Sequence, residues 1–220
     1  ASPIVFEPSR KVDKCWYTHV RDVRGDPSQT IPLKIAAYDI ECMSGSGKFP
    51  IAVKEWSYIG EQIDADLCNE SLPEEWSIAD IVERRLKLEG ASLPTSFKEK
   101  TLIPLLSSVN AESGQAIASA LSRKMKRIGD PLIQIGITIR WSTDMLKNVK
   151  RRVFVLGGVT GSSEFVSCET EADVIGSFVD FIKEENPDVI CGYNTYGFDD
   201  KYLVDRAPLT CLENAQFGRI

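Results

Sequence analysis

The sequence predicts an α/β domain in which a mixed sheet is flanked by helices and interrupted by a helical insertion. Three observations predict it. Apolar, β-branched runs at 33–42, 132–140 and 152–156 have the composition and length of strands. Residues 170–186 carry apolar side chains at helical spacing. A short apolar run, Val189-Ile190-Cys191, follows directly. Strands in succession, then helix, strand and helix, build a layered α/β sheet.

Residues 1–32 are polar and broken by prolines at 3, 8, 27 and 32; they are expected to be the tail of a preceding domain and a linker. The core opens at Leu33 and its first strand ends at the turn-forming Ser44-Gly45-Ser46-Gly47. The next strand waits until Leu132, which makes about residues 50–129 an insertion in a domain spanning 33–220. Inside it, Ser71-Leu72-Pro73-Glu74-Glu75 suits a helix start, with Ile78, Ile81, Val82 and Leu86 at helical spacing behind it. A second helix is expected over 113–127, with Ile117, Leu121, Met125 and Ile128 on one stripe.

After Pro131 the period changes to that of strands. Leu132 to Arg140 and Arg152 to Leu156 read as neighbours joined by the polar loop 142–150. Thr170 to Asn186 reads as a helix burying Val174, Ile175, Phe178, Val179 and Ile182, and Pro187 stops it. Val189 to Cys191 then supplies a buried strand. Phe198 to Arg206 starts a last helix with Tyr202 and Leu203 turned inward.

A net charge of −6 is not the basic footprint of a stand-alone duplex binder. Two local basic runs, 123–127 and 147–152, read first as solvated faces and second as phosphate contacts. Six cysteines without a C-x-x-C spacing and one histidine, His19, argue against a zinc site. Cys42 and Cys191, inside apolar runs, read as small core residues. No signal peptide and no bilayer-length apolar run is present in the sequence, so an intracellular, reducing compartment is expected. The glycines at 157, 158 and 161 lack the G-x-G-x-x-G spacing and read as a turn. No G-x-S-x-G occurs.

The chemistry is carried by acids. Strand side chains alternate faces, so Asp39 and Glu41 point one way and Ile40 the other. Acids inside Ile35-Ala36-Ala37-Tyr38 and Ile40 must be compensated by a cation or by hydrogen bonds. Asp199, after a second apolar run, can bring a third carboxylate to them. Three oxygen ligands suit magnesium or manganese better than zinc, and together they read as most of a two-metal nuclease site. Each motif alone is weak: edge strands often carry acids for solubility, and Asn194, Gly197 and Asp199 would serve an ordinary turn and helix cap.

The conjunction resembles a known family. KIAAYDIEC, residues 34–42, resembles the first exonuclease motif (D-x-E) of family B DNA polymerases, and GYNTYGFD, residues 192–199, their second (N-x-x-x-F-D). Asp130 to Gly136 and Asn186 to Gly192 resemble the family's second strand and the lead-in to the second motif. The likeness is greatest to delta-type polymerases of eukaryotes and large DNA viruses, over about 30–45 and 130–206. It implies a ribonuclease H-like exonuclease fold and, in the parent, a DNA-directed DNA polymerase with proofreading 3′–5′ exonuclease activity. It further implies two Mg2+ or Mn2+ ions, with Asp39 bridging both, Glu41 holding the water-activating one and Asp199 the other. Asn194, Phe198 and Ile40 become the substrate-binding set, and Tyr193 and Tyr196 candidates for stacking on a base.

The partners so implied are a single-stranded DNA 3′ end, the remaining polymerase domains and a sliding clamp, at a nuclear or viral replication site. The third motif, Y-x-x-x-D, does not occur after Asp199, and the chain is expected to be a fragment whose unassisted catalysis is incomplete. Two other readings are a non-catalytic scaffold that docks DNA or protein through the insertion, and a free-standing exonuclease of the same superfold.

Overall fold

In a computed structural model the described residues are 31–144 and 148–210. The expected linker up to residue 30, with His19 and Cys15, lies outside them, as do Cys211 and residues 145–147 of the polar loop. The described elements are β1 (Lys34–Cys42), α1 (Trp56–Leu67), α2 (Ile78–Leu88), a π-helical turn (Lys98–Leu102), α3 (Ile103–Leu106) and α4 (Gly114–Leu121), then β2 (Leu132–Trp141), β3 (Lys150–Leu156), β4 (Phe165–Cys168), α5 (Glu171–Glu185), β5 (Val189–Cys191) and α6 (Asp199–Arg206).

The five strands lie in the order β4-β3-β2-β1-β5. β2 is antiparallel to β1 and β3, whereas β5 is parallel to β1 and β4 parallel to β3. One face of this mixed sheet, built from Ala36, Tyr38, Ile40, Ile135, Ile137, Ile139 and Phe154, is buried under α5 through Val174, Ile175, Phe178 and Ile182. Strand alternation puts Asp39 and Glu41 on the opposite, exposed face.

α5 forms because its ends are closed as well as its stripe. Thr170 and Asp173 make a reciprocal capping box, and Asn186 ends the helix in the left-handed region at φ 46°. Pro187 could not have continued it.

The insertion holds a second core, in which Ile59, Ile63, Val82, Leu86, Leu102, Ile117 and Leu121 are fully buried. Two helix boundaries differ from the sequence reading. α2 starts at Ile78, where Ser77 and Asp80 form a capping box, and not at Ser71, whose N–H bonds to the Asn69 side chain in a turn. α4 ends at Leu121, not Arg127. The helix Trp56–Leu67 and the segment 98–106 were not expected.

A third difference concerns β5. It is an edge strand of three residues with Val189 and Cys191 exposed, not a buried one. Cys191 is accordingly no core residue, and Cys42 is half-buried.

Buried charges join the insertion to the sheet. Lys54, 2 % exposed, contacts Glu89 at 2.8 Å and Asp130 at 2.7 Å. Arg85 bridges Glu89 and Asp66. The second Asp130 oxygen accepts the Ile51 N–H at 2.9 Å. Arg206 of α6 reaches the Ala52 carbonyl at 3.0 Å and pairs with Glu171.

The α2 cap gives a pH-dependent expectation. Hydrogen bonds from Lys98 and then Ser77 hold the Asp80 carboxyl down at about 2. A depressed folded-state value stabilises above the ordinary carboxylate range of about 4 and is lost as pH falls toward the folded value. Helicity followed by circular dichroism should therefore fall between about pH 4 and 2, and Asp80→Asn should flatten that limb. An unchanged limb would remove Asp80 from the acid transition.

Candidate active site

β1 outruns β5, and the site grows from that mismatch. Parallel pairing stops at Ala37 with Cys191, so the outer edge of β1 from Tyr38 on must find other partners. The chain turns back across it: a Cβ on Gly192 would lie 2.4 Å from the Tyr38 carbonyl oxygen, so glycine is what permits the approach. Asn194 then adopts φ 54°, which asparagine tolerates better than most residues. Its carbonyl accepts the N–H groups of Gly197 at 2.9 Å and Phe198 at 3.1 Å, and α6 starts at Asp199.

Asp199 is buried, and its Oδ1 accepts the backbone N–H of Ile40 at 3.1 Å. That bond fills the edge position left by β5 and seats the carboxylate beside Asp39. Burial pushes the Asp199 carboxyl up, and the Asp39 charge and a hydrogen bond between the two acids push the same way, opposed by the N–H groups of Ile40 and Asp199 itself. A buried carboxyl with a second acid beside it is what such a shift describes.

The next residue is held too. The Tyr38 hydroxyl donates to Asp200 Oδ1, while its ring packs on Phe178 at 5.2 Å between centroids. Burial first and Asp200 second raise the Tyr38 pKa, keeping the hydroxyl protonated as the donor. Residues on either side of Asp39 thus grip consecutive acids at the start of α6. Sequence reasoning missed Tyr38 and Asp200; the adjacent Asp199-Asp200 pair was the only signal.

Asp39 and Asp199 are therefore brought together, whereas Glu41 lies two positions along the same exposed face, opposite Gln134 in register. Among the described residues no group of three His, Cys, Asp or Glu side chains is drawn close enough to hold a metal ion. The donors present are carboxylate oxygens only, and the Asp39–Asp199 contact is one that a divalent cation would relieve. This donor set fits a hard cation such as Mg2+ or Mn2+.

The substrate candidates separate by exposure. Ile40 is 6 % exposed; its side chain meets the core, and its N–H serves Asp199. Phe198 is half-buried between the rings of Phe49 and Tyr202, at 5.4 and 5.2 Å. Asn194 is exposed, and Tyr193 and Tyr196 are each 92 % exposed. Beside Asp39 an open groove of about 370 Å3 is floored by Ala37, Gly136 and Thr138 and walled by Arg151 and Tyr193. Gly136 sits opposite Asp39 in register, with open space where a side chain would stand.

Known proteins resemble parts of this chain. Residues 119–220 match the family described as DNA polymerase family B, exonuclease domain. A DNA polymerase of Pyramimonas orientalis virus is 23 % identical over 83 % of the chain and 20 % of its own length. The DNA polymerase delta catalytic subunit of Caenorhabditis elegans is 36 % identical over 39 % of the chain and 8 % of its own length. That of Oryza sativa subsp. japonica is 45 % identical over 41 % of the chain and 8 % of its own. The chain thus spans a fifth or less of the length of these relatives. The five-stranded mixed sheet with flanking helices is consistent with the ribonuclease H-like exonuclease domain of that family.

Proposed function

We propose, from the premise that residues 119–220 belong to the exonuclease domain of family B DNA polymerases, that this chain carries most of a proofreading 3′–5′ exonuclease. Its substrate is the single-stranded 3′ end of DNA, and its parent is a DNA-directed DNA polymerase. The domain runs over 33–220 with residues 50–129 inserted, and the clamp and the remaining polymerase domains act outside it. The observation that carries the reading is the Asp39–Asp199 carboxyl contact, locked by the Ile40 N–H at the rim of an open groove.

Asp39, Glu41 and Asp199 are the residues that would hold the divalent ions. Bound there, such ions supply positive charge to activate a water and to stabilise the departing 3′ oxygen. The protein's own part is placement. Tyr38 and Ile40 fix the two acids of α6 against β1, so that Asp199 is presented to Asp39 with little freedom. Tyr193 and Tyr196 offer exposed faces for stacking on unpaired bases, and Arg151 offers a cation to a phosphate along the groove. A paired terminus would have to fray before entering, which favours mismatched ends.

The test is digestion of a 5′-labelled single-stranded oligonucleotide with Mn2+, using the chain extended past Ile220, beside its Asp39→Ala and Asp199→Ala variants. A ladder shrinking from the 3′ end is expected. Each variant should slow it by more than the ~10–100-fold that follows loss of a ligand's outer hydrogen-bond partner. Undiminished ladders in both variants would sink the assignment.

The docking-module reading does not displace this one. The insertion's separate core supports a surface added to the nuclease rather than a replacement for it.

A further inference from the structure

The basic run 123–127 is not absorbed by the exonuclease site. Its first residues border a groove of about 500 Å3 in the insertion, between α3 and the end of α4. The floor is aliphatic: Leu105 is buried, Val109 half-buried and Pro104 exposed. The rim carries Lys100, Arg123 and Lys124, all exposed. None of the three forms an ion pair among the described residues, although neighbouring basic residues do: Lys98 pairs with Asp80, and Arg127 with Glu55.

The backbone beneath one wall is also unusual. Lys100 and Thr101 sit on the π-helical turn Lys98–Leu102. A π turn costs helical regularity and recurs at functional sites. Here it presents Lys100 beside the aliphatic floor.

We propose that this groove docks an acidic amphipathic peptide segment of a partner protein, taking its aliphatic side chains on Pro104, Leu105 and Val109 and its carboxylates on Lys100, Arg123 and Lys124. Charge complementarity commits the occupant. Three unpaired cations on a chain of net charge −6 call for an anionic ligand. The lining selects between anionic classes: among the described residues no aromatic ring borders the groove, so they offer bases nothing to stack on, whereas an aliphatic floor rewards leucine-type anchors. The volume is of the order of two or three such side chains, and the groove is a separate surface from the one beside Asp39.

The experiment measures anisotropy of a fluorescein-labelled peptide with leucines at i, i+3, i+4 and i+7 among aspartates and glutamates, titrated with the 220-residue chain. Controls are a scrambled peptide of the same composition and labelled oligothymidylate. Saturable binding is expected for the patterned peptide, weakened about tenfold or more in Lys100→Glu/Arg123→Glu. Both positions are exposed, and an unchanged melting curve of the variant separates lost docking from lost folding. No saturable binding, equal binding of the scrambled peptide, or peptide binding indifferent to the charge reversal would each overturn the proposal. Oligothymidylate binding lost in the same variant would overturn it in favour of a nucleic-acid contact.

Discussion

Asp130→Ala is expected to destabilise the chain by about 3–5 kcal/mol, the cost of breaking a buried ion pair. For a chain of this size that is a fall of about 6–20 °C in melting temperature. Asp130 is fully buried, and its two oxygens are spent on different partners, the Lys54 ammonium and the Ile51 N–H. Truncation strands both, while Lys54 keeps only Glu89, which it shares with Arg85. Lys54→Met should cost at least as much, because it leaves two buried carboxylates facing each other. The damage should reach α6. The Tyr202 hydroxyl donates to the Asp130 carbonyl at 2.8 Å, and Tyr202 packs on Phe198, next to Asp199. Hydrogen exchange at α6 should therefore rise in Asp130→Ala more than at α4. A loss below about 1 kcal/mol, the size of an exposed pair, would show that water replaces the carboxylate at no great cost.

That network marks the limit of what the sequence discloses. β1, β2 and α5 were legible because each is long and strongly periodic, and Thr170 and Asn186 announce the ends of α5 with ordinary capping chemistry. The α1 helix was not, since Glu55 makes no side-chain cap and no acid sits in its first turn. Ser71 misled because Pro73 and two glutamates imitate a helix start, while the capping box lies at Ser77 and Asp80. Cys191 was misplaced because an apolar triplet does not say whether a strand is central or at the edge. In the site, Asp39, Glu41 and Asp199 were legible as motif letters. The hydrogen bonds that organise them were not: Tyr38 and Asp200 are 162 residues apart, and Lys54 and Asp130 are 76. Pairings over such distances follow from topology, which local pattern does not contain.

Titrating Mg2+ or Mn2+ into the 220-residue chain at neutral pH is expected to raise its melting temperature, and Asp39→Asn to remove the response. A ligand bound only by the native state at about a hundred times its dissociation constant contributes about 2.7 kcal/mol, or about 5–10 °C here. The metal-free behaviour of the variant should be opposite in sign. The folded-state pKa of Asp199 is raised, by burial first and by Asp39 after the backbone donors have pulled it down. A raised carboxyl contributes stability that is complete below its unfolded value near 4 and lost as pH rises through the folded value. Ionisation of Asp199 beside Asp39 as pH rises is thus a burden on the fold, and replacing Asp39 by a neutral isostere should lift the metal-free melting temperature. The two melting curves should converge in acid, where Asp199 takes up its proton. A metal response retained in Asp39→Asn would move the ion away from this pair. A metal-free variant no more stable than the parent at neutral pH would mean that Asp39 and Asp199 do not repel, and that the contact needs no cation.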